Sequence, residues 1–228
     1  MYFPWVGMLE QLQLADIFVI YDDVQYSRGF FNRVQIKTNN GTEWLTIPIK
    51  DVHKGMKIFE ILIDNSTNWQ RKHLSALKHA YSAAPFYREM IDIVENILGD
   101  ARNSLFDITK NSMLSLIEYF NLKSQNSIYQ SSNLSIHGSG SLRLLNICQA
   151  LNATTYITGH GAKNYLDVDI FYENKIEVQL MDYKRTVYPQ LFGDFTPYVS
   201  SLDLIANCGK TGREFITSPA KNWREIVK

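Results

Sequence analysis

Residues 154–181, TTYITGHGAKNYLDVDIFYENKIEVQLM, decide the fold class. The run Thr154–Thr158 predicts a strand, Asp167–Asn174 a short helix, and Glu177–Met181 a second strand. Two strands joined by a helix pair in parallel through a right-handed crossover. Just upstream, Ser127–Gln130 predicts a strand and Ser141–Leu151 a helix, so the alternation repeats. Near the start, Ile17–Tyr21 has no polar interruption, the pattern of a parallel strand covered on both faces. The expected class is α/β, with an open, mostly parallel Rossmann-like sheet.

Two other textures surround this alternation. Val34–Lys37 and Glu43–Ile49 predict strands of a β-hairpin turning at Asn39-Asn40-Gly41, and Pro48 confines the second to an edge. Ile58–Ile63 predicts a further strand. From about 68 to 121 the β signal vanishes. Asn68–Tyr81, Pro85–Leu98 and Leu105–Phe120 show helical spacing, so a helical insert is expected within one domain spanning 1–228. Gly7–Ala15 predicts a helix behind Pro4, Leu202–Ala206 another, and Trp223–Val227 a last turn. No strand precedes Met1, although folds of this class usually begin with one.

Bulk properties narrow the function classes. The chain has 228 residues, 45% hydrophobic and 20% charged, with 23 basic and 23 acidic side chains and no net charge. Nothing global draws it to nucleic acid, and no apolar run reaches the roughly 18 residues of a membrane span. The two cysteines, Cys148 and Cys208, lie far apart without metal or redox spacing, as expected of a reducing, cytoplasmic setting. His53, His73 and His79 show no ligand spacing and read as surface or packing residues. No metal site is expected.

Four constellations could carry chemistry. The strand Ile17–Tyr21 ends on Asp22-Asp23, and Gln25, Tyr26, Asn32 and Arg33 follow. Paired carboxylates at a strand end can bind a magnesium ion, orient an amine or act as a base, or one of them caps the turn and pairs with Arg28 or Arg33. The loop His137–Arg143 carries Gly138, Ser139, Gly140 and Ser141 into a helix start, where free N–H groups and Arg143 can hold an anion. A flexible loop with Ser141 as N-cap accounts for the same residues. The strand Thr154–Thr158 delivers Gly159 and His160 to its carboxyl end, with Asn164 and Tyr165 beyond, and His160 can serve as a base or bind phosphate. The irregular aromatic segment from Tyr183 presents Tyr188 and Gln190, while Asp203 reads as a favourable charge in a first helical turn.

Together these segments resemble the WbqC-like family of bacterial proteins. The resemblance rests on Tyr2-Phe3-Pro4-Trp5-Val6-Gly7, Asp22-Asp23-Val24-Gln25-Tyr26, Asn32-Arg33 and Trp44-Leu45-Thr46-Ile47-Pro48. It continues through Trp69, Tyr81 with Pro85 and Tyr87, Arg143-Leu144, Tyr156–Gly159, Asn164-Tyr165-Leu166, Tyr188-Pro189-Gln190, Phe195-Thr196-Pro197 and Ser200–Gly209. The family usually opens with a short strand ending in Gln-Pro, which this chain does not show.

The resemblance implies a place in surface-polysaccharide (O-antigen) biosynthesis and a nucleotide-linked amino sugar as client. The expected reaction is acyl or aminoacyl transfer to the sugar's amine, drawing on acyl-CoA or on ATP plus an amino acid. Asp22, Asp23 and His160 would be catalytic, and the other polar groups named above would bind substrate. A non-catalytic sugar-nucleotide binding or assembly protein is the alternative, and a glycosyltransferase a weaker one. Self-association into a homo-oligomer is compatible with either.

Overall fold

The computed structural model describes residues 1–99, 103–122 and 127–226. The chain is a mixed α/β protein whose described residues divide into two compact units. One comprises 1–9, 22–123 and 185–216, the other 10–21, 124–184 and 217–228.

The second unit holds the parallel pairing that the alternating sequence predicts. Strand β1 (Phe18–Ile20) pairs in parallel with β4 (Ile128–Gln130), Phe18 opposite Ile128. Strand β5 (Thr155–Thr158) pairs in parallel with β6 (Glu177–Met181), which also takes β7 (Ala220–Asn222) antiparallel. Among the described residues these form separate two- and three-stranded sheets, and not one continuous open sheet. β1 is half-buried along its length, so its apolar run does not reflect full cover on both faces. The core beneath β5 and β6 is built from Leu145 and Cys148 of helix α5 (Gly140–Ala150), Phe171 of α6 (Asp169–Glu173), Val178, Leu180 and Trp223. Phe171 stacks on Tyr156 at 5.2 Å. Trp223 opens the last helix, α8 (Trp223–Ile226); Val227, expected in that turn, lies outside the described residues.

The first unit contains the hairpin of β2 (Arg33–Thr38) and β3 (Gly41–Thr46), turning where Asn39-Asn40 predicts it. Side chains alternate across the pleat: Val34, Ile36 and Leu45 are buried, while Arg33 and Gln35 of β2 and Trp44 and Thr46 of β3 stand on the other face. Around the hairpin lie α2 (Trp69–Tyr81), α3 (Tyr87–Gly99), α4 (Leu105–Tyr119) and α7 (Ser201–Cys208). The helical spacing is real. In α2, Trp69, His73, Leu77, Ala80 and Tyr81 are the buried stripe. The Ser104 and Ser200 hydroxyls cap α4 and α7 by accepting from Asp107 N and Leu202 N. The first helix, α1 (Val6–Leu14), begins two residues after Pro4.

One predicted strand is corrected. Ile58–Glu60 is a 3₁₀ turn closed by the Glu60 carboxylate on Lys57 N at 2.7 Å, and only isolated bridges of Leu62 and Ile63 follow. Ile61 and Ile63 are buried while Leu62 is exposed, a short alternation that finds no full-length neighbour.

Candidate functional site

The outer face of the hairpin borders a pocket of about 960 Å³, a size suited to a small molecule. Its floor is fixed by a buried polar chain. The Tyr26 hydroxyl donates to Asn32 Oδ1 at 3.3 Å, and Asn32 Nδ2 donates to Ile47 O at 2.8 Å. Tyr26 N is held in turn by Met56 O. Asn32 is therefore spent on the framework. Arg28, Arg33, Lys50 and Lys54 line the pocket together with His53, and Asp51 is the single carboxylate among the lining residues. Like cations gathered at one rim attract anions and raise their local concentration. Their field reaches the floor: burial pushes the Tyr26 hydroxyl pKa up, and Arg28 and Arg33 pull it back down.

Arg33 is the central group. It opens β2, and its Cζ lies 4.4 Å from the ring centre of Trp44, its diagonal neighbour across the hairpin. Phe30 lies near the same group, its ring 6.0 Å from the Arg33 Cζ and 5.9 Å from the Trp44 ring. The Arg33 Nε is buried and has no hydrogen-bond acceptor. A buried donor without an acceptor costs free energy that an incoming oxyanion would recover. Phe30 and Trp44 nevertheless remain 58% and 41% exposed.

Tyr188 and Gln190 belong to the same unit but to a different centre. Both surround Asp203, which is 0% exposed in the first turn of α7. Gln190 is fully engaged: its Oε1 accepts from Lys37 Nζ and Thr196 N, and its Nε2 donates to the Tyr188 hydroxyl and Thr196 O. Lys37, 3% exposed, also donates to Asp194 O. Tyr81, Tyr188 and Gln190 turn polar groups toward the Asp203 carboxylate, yet neither oxygen completes a hydrogen bond of ordinary geometry. Burial raises the Asp203 pKa to about 6, with those groups and Lys37 opposing. The helix-dipole account of Asp203 is thus incomplete, because the residue is the buried centre of a polar cluster.

The remaining predicted groups lie in the second unit. Gly138 and Ser139 lead into α5 and Gly140 and Ser141 are its first two residues, so the helix starts one residue before the expected Ser141 and Ser139 stands at its N-cap; the two glycines adopt φ of +121° and +53°. Arg143 is buried. Its Nε donates to Ile136 O at 3.1 Å, and its Cζ lies 5.1 Å from the Tyr21 ring, so it braces the loop. Ser141 accepts from Asp167 N at 2.9 Å. His160 is exposed at the start of a 3₁₀ turn after Gly159, a turn that ends on Asn164, with Tyr165 63% exposed behind it. Asp22 is buried and its carbonyl accepts from Phe59 N, while Asp23 is half-buried.

Of the predicted residues, Gln25, Tyr26, Asn32 and Arg33 are brought together at the pocket, which Asp22 and Asp23 do not line. Sequence reasoning missed Lys50, Asp51, His53 and Lys54. Their signal was a basic loop directly after the second hairpin strand, in which only His53 is singled out, as a surface or packing residue. Among the described residues no three His, Cys, Asp or Glu side chains gather as a metal site would require, and no helix is long and apolar enough to cross a membrane.

The sequence profile of the WbqC-like protein family matches residues 1–215. The uncharacterized protein Rv1507c of Mycobacterium tuberculosis is 35% identical over 221 residues, covering 94% of each chain. No solved structure matches the chain significantly.

Proposed function

The chain belongs to the WbqC-like protein family, and from that premise we propose that it is a cytoplasmic enzyme of surface-polysaccharide (O-antigen) biosynthesis. It acts on a nucleotide-activated amino sugar and transfers an acyl or aminoacyl group to the sugar's amine. The observation that carries this reading is the pocket of about 960 Å³ lined by four cationic side chains and one carboxylate. A neutral sugar alone would not call for such a charge excess, whereas a sugar diphosphate does.

In this reading Arg28, Arg33, Lys50 and Lys54 hold the phosphates, and Gln25 contacts the sugar. Asp22 or Asp23 orients or deprotonates the amine. Their support is position: they follow the carboxyl end of β1, after one intervening residue, Tyr21. The family match runs through both compact units, which supports treating 1–228 as one functional domain.

A binding or assembly role is the second reading. It is favoured by Asp51 being the single carboxylate among the residues lining the pocket. The test is a thermal-shift screen of nucleotides and nucleotide sugars, followed by turnover assays with acyl-CoA or with ATP plus amino acids. Stabilisation with turnover supports the enzyme. Stabilisation without turnover supports the binding protein. A screen in which no nucleotide compound stabilises the protein sinks both.

A further inference from the structure

We propose that the pocket and an aromatic pair outside its lining together recognise a nucleoside diphosphate: the pocket cations around Arg33 take the diphosphate, and the exposed Phe30–Trp44 pair, which Arg33 touches, is the stacking platform for the base. This rests on the nucleotide-sugar reading above and names which portion of that ligand each side of Arg33 contacts.

Three observations carry it. First, the cations are four against one carboxylate, more than a single monoanion needs. Second, Arg33 has a buried, unpartnered Nε while its guanidinium lies over Trp44 at 4.4 Å and near Phe30 at 6.0 Å. One residue thus links the charged floor to the aromatic face, much as a phosphate lies next to a base in a nucleotide. Third, the two rings are neighbours, 5.9 Å apart and tilted by 35°, and are among the most exposed large apolar side chains of the unit. Exposed aromatic pairs beside a cationic cleft are suited to stacking against a flat, polar heterocycle. A monosaccharide or inorganic diphosphate would leave that face uncovered. Trp44 sits on the outer side of the pleat, on a strand whose register is fixed by Leu45 in the core.

The experiment is calorimetric titration of the whole protein at one ionic strength with inorganic pyrophosphate and with the adenosine, guanosine, cytidine, uridine and thymidine diphosphates. At least one nucleoside diphosphate is expected to bind roughly ten-fold or more tightly than pyrophosphate, the size of a single base-stacking contribution. Trp44→Ala should weaken that nucleoside diphosphate roughly ten-fold more than it weakens pyrophosphate, because both lose the same support of Arg33 and only the nucleotide also loses its base stack. Trp44→Phe should restore part of the loss, and Arg33→Ala should weaken every phosphate compound. Equal affinity for pyrophosphate and all five diphosphates overturns the platform while leaving the anion site standing. So does an advantage that survives both Trp44→Ala and Phe30→Ala. Failure of every phosphate compound to bind overturns the nucleotide-sugar reading itself.

Discussion

Burying a carboxylate costs several kcal/mol unless donors and charges repay it. Asp203 meets that cost incompletely, which is why its pKa rises from 3.8 to about 6. A folded-state value above the unfolded one means the native state holds more protons between those two values. Stability from Asp203 is therefore lost as pH rises through about 6 and recovered toward 4. His73 works in the opposite sense. It sits between the Tyr2 hydroxyl and Thr46 O, and burial lowers its pKa from 6.5 to about 4. Its contribution is present above 6.5 and lost as pH falls toward 4. The two terms, each on the order of 3 kcal/mol, nearly offset across the same window. Asp203→Asn should then be more stable than the parent at pH 7, and it should lose stability steeply on acidification, with His73 left unopposed. Denaturant melts of both proteins between pH 4 and 7 check this, and parallel pH profiles would rule it out. His73→Gln should flatten the acid loss in the Asp203→Asn background, measured by the same melts.

At the scale of elements, ends and turns were legible wherever one residue type dictates the backbone. Asn39-Asn40-Gly41 announced the hairpin, and Gly41 takes φ of +109°. Gly209 ends α7 at φ +58°, and a Cβ there would lie 2.6 Å from the Phe86 ring. Gly209→Ala should therefore cost about 1–3 kcal/mol through strain and overpacking together. Phe86→Leu should recover part of that loss in the double variant, and thermal melts of the four proteins close the cycle. Elements were illegible where partners come from far along the chain. Ile58–Ile63 has the composition of a strand, but the Lys57–Glu60 closure turns it first. The isolated bridges it then makes, Leu62 to Ser104 and Ile63 to Ile49, involve residues no local pattern could supply. Ile17–Tyr21 has the composition of a covered strand, yet its ladder partner among the described residues is more than a hundred residues away and its cover is partial.

For the whole molecule, zero net charge concealed a strongly cationic site. Arg28, Arg33, Lys50 and Lys54 have no periodic spacing, and only the fold of the hairpin around Asn32 and Ile47 turns them onto one pocket. Arg33 was legible as a site residue because it follows an apolar strand and a polar cluster. Arg143 was equally prominent beside its glycines, but its guanidinium is drawn to Ile136 O and Tyr21. Because the pocket cations border solvent, their attraction is screened over about 8 Å at physiological salt. Diphosphate affinity should accordingly fall several-fold between about 50 and 200 mM salt, while stability falls little, since the formal charges balance. At a hundred-fold excess over Kd, a bound nucleotide should stabilise the protein by about 2.7 kcal/mol and raise its Tm by roughly 5–10 °C. Hydrogen exchange with the same ligand locates the effect. Amides of residues 25–54 should slow, and those of α5 around Arg143 should not. Slowing confined to the loop at Gly138–Ser141 would move the anion site to the second unit, because the ligand protects the backbone it touches.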